Sequence, residues 1–366
     1  MIGLWWAQIR AVVRLEMKKT FFARRGLWIY ILALLPVLLF LGHNFQESRQ
    51  HAKRQRIARL SERPLTSQDL LSVQAGMTRQ DVVARLGKPP VHFHWNDRMP
   101  SENDSFVDVP RESYHYSDGT SDLWVDLTNG KVTNVNLRGA EDLAEDTVVF
   151  AGVFQFFYLR LAIFFGCLGI FMNLFRGEIL DRSLHFYFLA PIRREVLMVG
   201  KFLAGLLATC VIFVASELLQ IVVFTSNYSQ NVRDLYLYQN HGLAAAAAYL
   251  GVTVLACVGY GAFFLAAGMF FRNPILPAAG ILIWESLNPF LPTLLQKFSV
   301  IYYLKALCPV DIPTPPGTPA LLALLVSNSD PVSTPVAILG VVIVALLVLY
   351  VSSLQVRRME INYTSE

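Results

Sequence analysis

The chain has 366 residues, of which 54% are hydrophobic and 16% charged, with a mean hydropathy of +0.44. This composition excludes a disordered protein, a small disulfide-stabilised scaffold and most soluble enzymes. The formal net charge of +4 is too small to indicate a nucleic-acid partner. Charge is unevenly spread, because residues 43–147 hold 29 of the 58 charged side chains. The sequence therefore predicts one water-soluble domain inserted into a membrane chain.

The N-terminal segment 1–26 mixes tryptophans, aliphatic residues and basic residues at nearly helical spacing. This pattern predicts an amphipathic helix that lies in the membrane interface, in contact with lipid. An extended cytosolic end of the first span is the alternative. A first transmembrane helix is predicted over 27–42, preceded by Arg24 and Arg25, whose charges can reach the interface.

Spanning the hydrocarbon core of a bilayer takes about 20 apolar residues in a helix. The sequence predicts an α-helical membrane protein with six transmembrane helices, at 27–42, 148–175, 202–224, 243–271, 275–295 and 336–354. Helices two to six and their loops occupy 148–354, and a tail occupies 355–366. In the short loops, most lysines and arginines lie on the same side of the membrane as the N-terminus. We therefore expect a multi-pass protein of the cytoplasmic (inner) membrane with both termini in the cytoplasm.

A small α+β domain is predicted outside the membrane over 43–147, between the first and second spans. Thr78 followed by Asp81 is a capping-box pattern that starts a helix, and Gly87 ends it. A strand is predicted over 112–117. A hairpin comes next over 123–137, with its turn at Asn129-Gly130.

The helix and hairpin pattern is similar to that of a known lipoprotein domain. The residues that carry the likeness are Gly76-Met77-Thr78, Asp81-Val82-Val83 and Leu86-Gly87-Lys88-Pro89, before a tyrosine-rich strand. They resemble the SmpA/OmlA (BamE-like) family, over a core at about 65–138. The likeness leaves open a periplasmic partner for this domain.

Three histidines in this domain raise the question of a metal site. His92, His94 and His115 with Asp97 offer the imidazole and carboxylate ligands that zinc or copper binds. The sequence contains no fourth ligand at a fixed spacing. The favoured interpretation is therefore surface or strand histidines, with no metal site.

The loop over 176–201, between the second and third spans, carries the most specific motif. It contains Arg176-Gly177-Glu178-Ile179-Leu180-Asp181-Arg182-Ser183-Leu184, then Leu189-Ala190-Pro191-Ile192-Arg193-Arg194-Glu195, and ends with Val199-Gly200-Lys201. Together with the basic run over 14–25, this resembles the signature of ABC type-2 exporter permeases. Arg182 departs from the pattern, since the family often has glycine there.

The resemblance implies the permease subunit of an ATP-binding cassette exporter, which is a transport subunit and not an enzyme. It implies a homodimer or heterodimer of permeases with a separate ABC ATPase subunit that binds ATP and magnesium. Gly200-Lys201 lacks the flanking residues of a P-loop, so the chain itself carries no such nucleotide motif and needs no cofactor. A non-transporting membrane anchor that displays an envelope-assembly or sensor domain is the alternative function.

Alternating charges on a short amphipathic segment favour specific, reversible docking to another protein. The candidate ATPase-coupling residues are Glu178, Asp181, Arg182, Pro191, Arg193, Arg194, Glu195 and Lys201. A basic loop that serves only membrane topology is the alternative. That alternative explains the arginines but leaves the acidic residues without a role.

Three ionisable residues lie inside predicted spans, where each is costly. Arg160 and Glu217 have nearly equal depth on successive antiparallel spans, so we predict that they pair. Glu285 stands four residues before Pro289, which should break the fifth span. Glu285 then either lines the translocation path or binds the backbone groups that the break releases. Residues 294–307 predict an outer interfacial or re-entrant helix.

Overall fold

The computed structural model describes residues 2–22, 26–100, 106–138, 143–180, 187, 189, 192–226, 228–271, 273, 275–312 and 332–358. The chain forms two compact units, which we call the helical unit and the inserted unit. The helical unit comprises Met1–Leu41 with Ala144–Glu366, and the inserted unit comprises Gly42–Leu143.

The chain begins with two helices, α1 (Ile2–Phe22) and α2 (Leu27–Leu60). α1 confirms the helix predicted near the N-terminus, and it buries Val12 and Glu16 while Trp6 stays exposed. α2 continues past the predicted end of the first span at residue 42. Its second half is rich in Gln, Glu, Ala, Lys and Arg, which have high helix propensity, so the helix extends into the inserted unit.

The inserted unit packs helices against an antiparallel sheet of strand order β1-β2-β3-β4. Its elements after α2 are α3 (Ser67–Leu71), α4 (Arg79–Leu86), β1 (Val91–Pro100), β2 (Phe106–Ser117), β3 (Asp122–Thr128) and β4 (Lys131–Arg138). Its buried core consists of Leu65, Leu70, Val73, Val82, Leu86, Tyr114, Tyr116, Leu123, Val125, Leu127 and Val132. The unit is therefore an α+β fold with a core of its own.

The local signals in this unit are confirmed. Thr78 and Asp81 form a reciprocal capping box at the start of α4. Asn129 and Gly130 both have positive φ, 52° and 71°, as a type I′ turn between β3 and β4 requires. The sequence did not predict β1, whose polar residues interrupt any apolar alternation, nor the short α3.

The three histidines do not converge on one point. His92 pairs with Tyr114 across the sheet, so His115, the next residue of β2, points to the opposite face from His92. His115 is buried and contacts Asp122 at 2.8 Å. Among the described residues, no group of three or more His, Cys, Asp or Glu side chains is arranged to hold a metal.

The rest of the helical unit comes after β4. Its elements are α5 (Leu143–Gly152), a π-helix (Val153–Ile163), α6 (Phe164–Leu180), α7 (Arg194–Ser226), α8 (Gln230–Asp234), a second π-helix (Leu235–Gln239), α9 (Gly242–Phe270), α10 (Ile275–Leu287), a 3₁₀ turn (Asn288–Phe290), α11 (Thr293–Gln296), α12 (Val300–Ala306) and α13 (Thr334–Arg358). α9 packs against α6, α7 and α13. Gly261 of α9 allows close packing, because a Cβ atom there would clash with Phe171 of α6.

Five helical segments of the described chain are long and apolar enough to cross a membrane: Leu27–Leu60, Asp146–Glu178, Arg194–Ser226, Gly242–Phe270 and Thr334–Arg357. The break predicted at Pro289, within the fifth span over 275–295, is confirmed. α10 ends at Leu287, because Pro289 cannot continue the helical hydrogen bonding. The chain then forms α11 and α12 instead.

α12 differs from the interfacial helix that is one of the two alternatives predicted over 294–307, and the other alternative, a re-entrant helix, stays a prediction. Tyr302 and Tyr303, expected at the level of the lipid headgroups, are only 2% and 9% exposed. α12 packs between α9 and α13, with Val300 against Gly259 and Tyr303 against Gly340. Residues 300–305 of α12 are thus part of the interior of the helical unit.

Candidate functional site

A buried cluster of charges joins α1, α6 and α7. The Lys201 ammonium donates to Glu16 Oε1 at 2.7 Å, to Glu178 Oε2 at 2.7 Å and to the Leu174 carbonyl at 2.8 Å. An ammonium group has three protons to donate. Every donor of Lys201 is therefore used inside the protein, and its side chain is fully buried.

Lys19 and Tyr187 complete this group, which we call the lysine cluster: Glu16, Lys19, Glu178, Tyr187 and Lys201. Lys19 Nζ donates to Glu178 Oε1 at 3.0 Å and to the Tyr187 hydroxyl at 3.1 Å. The Tyr187 hydroxyl donates to Glu16 Oε1 at 2.9 Å. Two ammonium groups thus balance two carboxylates, and the cluster is electrically neutral when all four are ionised.

The protonation states follow from this geometry. Burial is the largest influence on Glu16 and disfavours its charge. The charges of Lys201 and Lys19, with hydrogen bonds from Lys201 and Tyr187, outweigh it and hold the pKa of Glu16 below its ordinary 4.5. Burial, with the neighbouring Glu16 and Glu178 carboxylates, raises the pKa of Tyr187. Glu16 is therefore ionised and Tyr187 neutral at physiological pH.

The lysine cluster depends on the close approach of α1 to α7. A Cβ atom at Gly200 would lie 3.0 Å from Cβ and from Cγ1 of Val12, which is tighter than ordinary side-chain packing. Residues one helical turn apart share a face, so Glu16, four residues after Val12, lies on the same face of α1 and reaches Lys201. Gly200 allows α1 to approach α7, and Lys201 binds Glu16 of α1, so both residues stabilise the contact between these two helices.

The structure corrects the expectation that Glu178 and Lys201 present their charges to a partner. They are 6% and 0% exposed and bind each other. Their sequence positions near the loop suggested docking, but the ends of α6 and α7 turn them towards α1. Both residues therefore hold the three helices together in this conformation.

The other coupling candidates within the described chain lie at the start of α7. Arg193 is exposed, and its guanidinium lies 5.2 Å from the centre of the Trp5 ring. Arg194 donates to the Arg357 carbonyl at 3.0 Å, and Glu195 forms an ion pair with Arg357 at 2.6 Å. These residues stay accessible at the protein surface.

Asp181, Arg182 and Pro191 lie outside the described residues. The coupling roles suggested for them therefore stay predictions.

The predicted pair between Arg160 and Glu217 does not form. Nε and Nη2 of Arg160 and both carboxylate oxygens of Glu217 are buried, and none has a hydrogen-bond partner among the described residues. Arg160 stands in the first π-helix, whose wider turn changes the direction of each side chain. The prediction from equal depth assumed regular α-helical turns. Arg160 instead borders a small cavity with Tyr260 and Glu285.

One of the two roles predicted for Glu285 was to bind backbone groups released by the break at Pro289. Glu285 does bind backbone groups, but they are the amides of the next helix and not the carbonyls at the break. Its carboxylate accepts from the Ser299 hydroxyl at 2.8 Å, from the Val300 amide at 3.0 Å and from the Ile301 amide at 2.8 Å. These amides begin α12 and have no partner within that helix. Glu285 therefore fixes α12 to the end of α10.

Sequence reasoning missed Glu16, Lys19 and Tyr187 as members of the site. Glu16 and Lys19 lie three residues apart on a helix that is otherwise apolar and basic, and a lone carboxylate in such a helix was a usable signal. Tyr187 carries no such signal. Its role depends on contacts with residues about 170 positions away, for example Glu16.

The comparisons with known proteins bear on this arrangement. A family model described as ABC-2 family transporter protein matches residues 10–291, which is more than half of the chain. The chain belongs to the ABC-2 transporter family. No curated protein and no solved structure matches it.

This ABC-2 permease is therefore a multi-pass membrane protein and the membrane subunit of an ABC transporter, a subunit that is not itself catalytic. The matched residues run from within α1 to Leu291, just after the 3₁₀ turn. They include Glu16, Lys19, Glu178, Tyr187 and Lys201. The lysine cluster thus lies wholly within the part that the family model covers.

Proposed function

We propose that this permease is the membrane subunit of an ATP-driven exporter in the cytoplasmic membrane. It works as a homodimer, or as a heterodimer with a related permease, bound to a separate ABC ATPase subunit that holds ATP and magnesium. Membership of the ABC-2 family supports the transporter role. Lysine and arginine are in excess in the short loops that lie on the same side of the membrane as the N-terminus. This excess supports a cytoplasmic position for both termini.

An even number of membrane crossings is needed for both termini to lie on one side, whereas five described helices are long enough to cross. We propose that α10 and α12 together make the remaining crossing as a broken helix. Their 13 and 7 residues correspond to about 20 and 10 Å of helix, and the hydrocarbon core is about 30 Å thick. Glu285 would hold the two pieces in register through the amides of α12.

The lysine cluster carries the mechanistic part of the proposal. It ties α1 to the ends of α6 and α7, which flank the loop of residues 181–193. A force applied to this loop would reach two membrane helices and α1 at once, because buried ion pairs with fixed hydrogen bonds resist separation. The ATPase would dock on the accessible residues beside the cluster, Arg193, Arg194 and Glu195.

The inserted unit is proposed to face the periplasm, where it meets cargo or a periplasmic partner. Its likeness to the SmpA/OmlA (BamE-like) domain supports an envelope role. Its sheet also exposes Phe93 and Trp95, which are 50% and 41% accessible. Exposed aromatic residues of this kind are common at protein interaction sites.

The proposal is tested by affinity purification of the tagged chain from native membranes in mild detergent. An ABC ATPase subunit is expected to co-purify in near-equal amount. Arg193→Glu should reduce this association severalfold, because it reverses a charge on the proposed docking surface. Arg233→Glu, the same change on the proposed outer side, is the matched control.

Two results of this purification would contradict the proposal. If the chain purifies without an ATPase, or if Arg193→Glu and Arg233→Glu retain it equally, the coupling role is contradicted. A chain that purifies without an ATPase is what the alternative function requires, a membrane anchor that only displays the inserted unit.

A further inference from the structure

Glu217 lies buried in α7 without any partner for its charge. The side chain is 0% exposed, and neither carboxylate oxygen has a hydrogen-bond partner among the described residues. No described lysine, arginine or histidine compensates the charge that an ionised Glu217 would carry.

Further polar atoms without partners accompany Glu217. They are Gln220 Oε1 on α7, and the Tyr249 and Thr253 hydroxyls on successive turns of α9, which packs against α7. All three side chains are at most 3% exposed. Buried polar atoms normally have partners, so four such residues on two neighbouring helices indicate a site rather than isolated defects.

The titratable groups that act on Glu217 come from three elements. They are Tyr158 of the first π-helix, Tyr249 of α9 and Cys308, which lies just after α12. Each of these groups is neutral in its ordinary form at physiological pH. None of them therefore supplies the positive charge that an ionised carboxylate would need.

An unpaired carboxylate in an apolar interior is strongly unfavourable, whereas a neutral carboxylic acid is tolerated far better. The neutral acid also gains an O–H donor, and Gln220, about one helical turn further along α7, offers an acceptor oxygen without a partner among the described residues. Glu285 shows the contrast within the same unit. It is also buried, but its carboxylate accepts hydrogen bonds from the Ser299 hydroxyl and from the Val300 and Ile301 amides, whereas that of Glu217 accepts none from the described residues.

We propose that Glu217 is a proton-binding site of the helical unit, occupied by a proton in this conformation. Gln220, Tyr249 and Thr253 form its polar surroundings. The proton stays bound while the site is closed to water and can leave only when a rearrangement of α7 and α9 admits water. This site is separate from the lysine cluster and does not depend on the ATPase partner.

Infrared difference spectroscopy of the full-length purified chain at neutral pH tests the proposal. A protonated carboxylic acid has a carbonyl band that an ionised carboxylate lacks. The difference between wild type and Glu217→Gln should contain this band. The matched difference for Glu16→Gln should not, because the buried Glu16 carboxylate is ionised beside Lys201. If the Glu217 difference lacks the band, the proposal is overturned.

Two further measurements distinguish a bound proton from a bound metal cation and from an ionised carboxylate. Replacing choline chloride with sodium chloride should leave the band unchanged, whereas its loss in sodium would assign the site to a metal cation and overturn the proposal. The melting temperature of Glu217→Gln should equal that of wild type, because an amide resembles the neutral acid in shape and charge. A large change in melting temperature, a rise if the charge is uncompensated or a drop if it is compensated, would instead indicate an ionised Glu217 and overturn the proposal.

Discussion

Lys201 shows how much one side chain can determine when all of its donors are used. Its ammonium binds Glu16, Glu178 and the Leu174 carbonyl, and water does not reach it. Removing one member of a buried ion cluster leaves the other charges without compensation. Stability should therefore depend on Lys201 much more than on the charged residues at the surface.

Lys201→Met is expected to lower the free energy of unfolding by about 3–5 kcal/mol, because it leaves Glu16 and Glu178 buried with only Lys19 nearby. Lys19→Met makes the same change on a side chain that is 48% exposed. Its cost should stay within about 1 kcal/mol, since solvent screens that pair. Unfolding of the purified chain in mixed detergent micelles measures both values.

A variant that removes the charges together serves as the control for folding. Lys201→Met combined with Glu16→Gln and Glu178→Gln should be more stable than Lys201→Met alone, because no uncompensated carboxylate remains. Equal stability of Lys201→Met and Lys19→Met would show that the lysine cluster does not hold the helices together.

At the scale of elements, the close approach of α1 to α7 depends on Gly200. Gly200→Val should lower the free energy of unfolding by about 1–3 kcal/mol, because the added side chain meets Val12. Val12→Ala in the same chain should restore part of this loss by making room. Thermal unfolding of the two single variants and the double variant gives the coupling, and strictly additive effects would contradict the contact.

The pH dependence of the α1 contact is determined by the lowered pKa of Glu16. A carboxyl whose pKa is lower in the folded state stabilises the fold above its unfolded pKa, and this stability is lost as the pH falls through the folded value. The difference in melting temperature between wild type and Glu16→Gln should therefore be constant from about pH 8 to 5. It should shrink below the ordinary value of 4.5. A difference that grows towards low pH would contradict an ionised Glu16.

Elements with a local signal were predictable, and those that depend on distant contacts were not. The capping box at Thr78 and the Asn129-Gly130 turn are decided by neighbouring residues, so the sequence alone indicates α4 and the hairpin. Pro289 correctly marks a break. The path of the chain after the break could not be predicted, because α12 is held by Glu285 and by packing against α9 and α13.

For the whole molecule, the sequence indicated the permease family and the charged loop but not how the charges pair. Lys201 and Glu16 are 185 positions apart, and no local pattern predicts such a contact. The predicted pair of Arg160 and Glu217 failed for a related reason. Depth in a membrane can be counted along the chain, but the rotation of each helix, here altered by a π-helix, depends on tertiary packing.

The central claim is that this permease transmits ATP-driven movement through the lysine cluster. The most direct measurement is ATP hydrolysis by the reconstituted complex of permease and ATPase in lipid vesicles. We predict that the wild type and Lys19→Met sustain hydrolysis. Lys201→Met, at a temperature where it stays folded and bound, should lower hydrolysis by about tenfold or more. Undiminished hydrolysis with Lys201→Met, or an ATPase rate that is the same without the permease, would contradict the account.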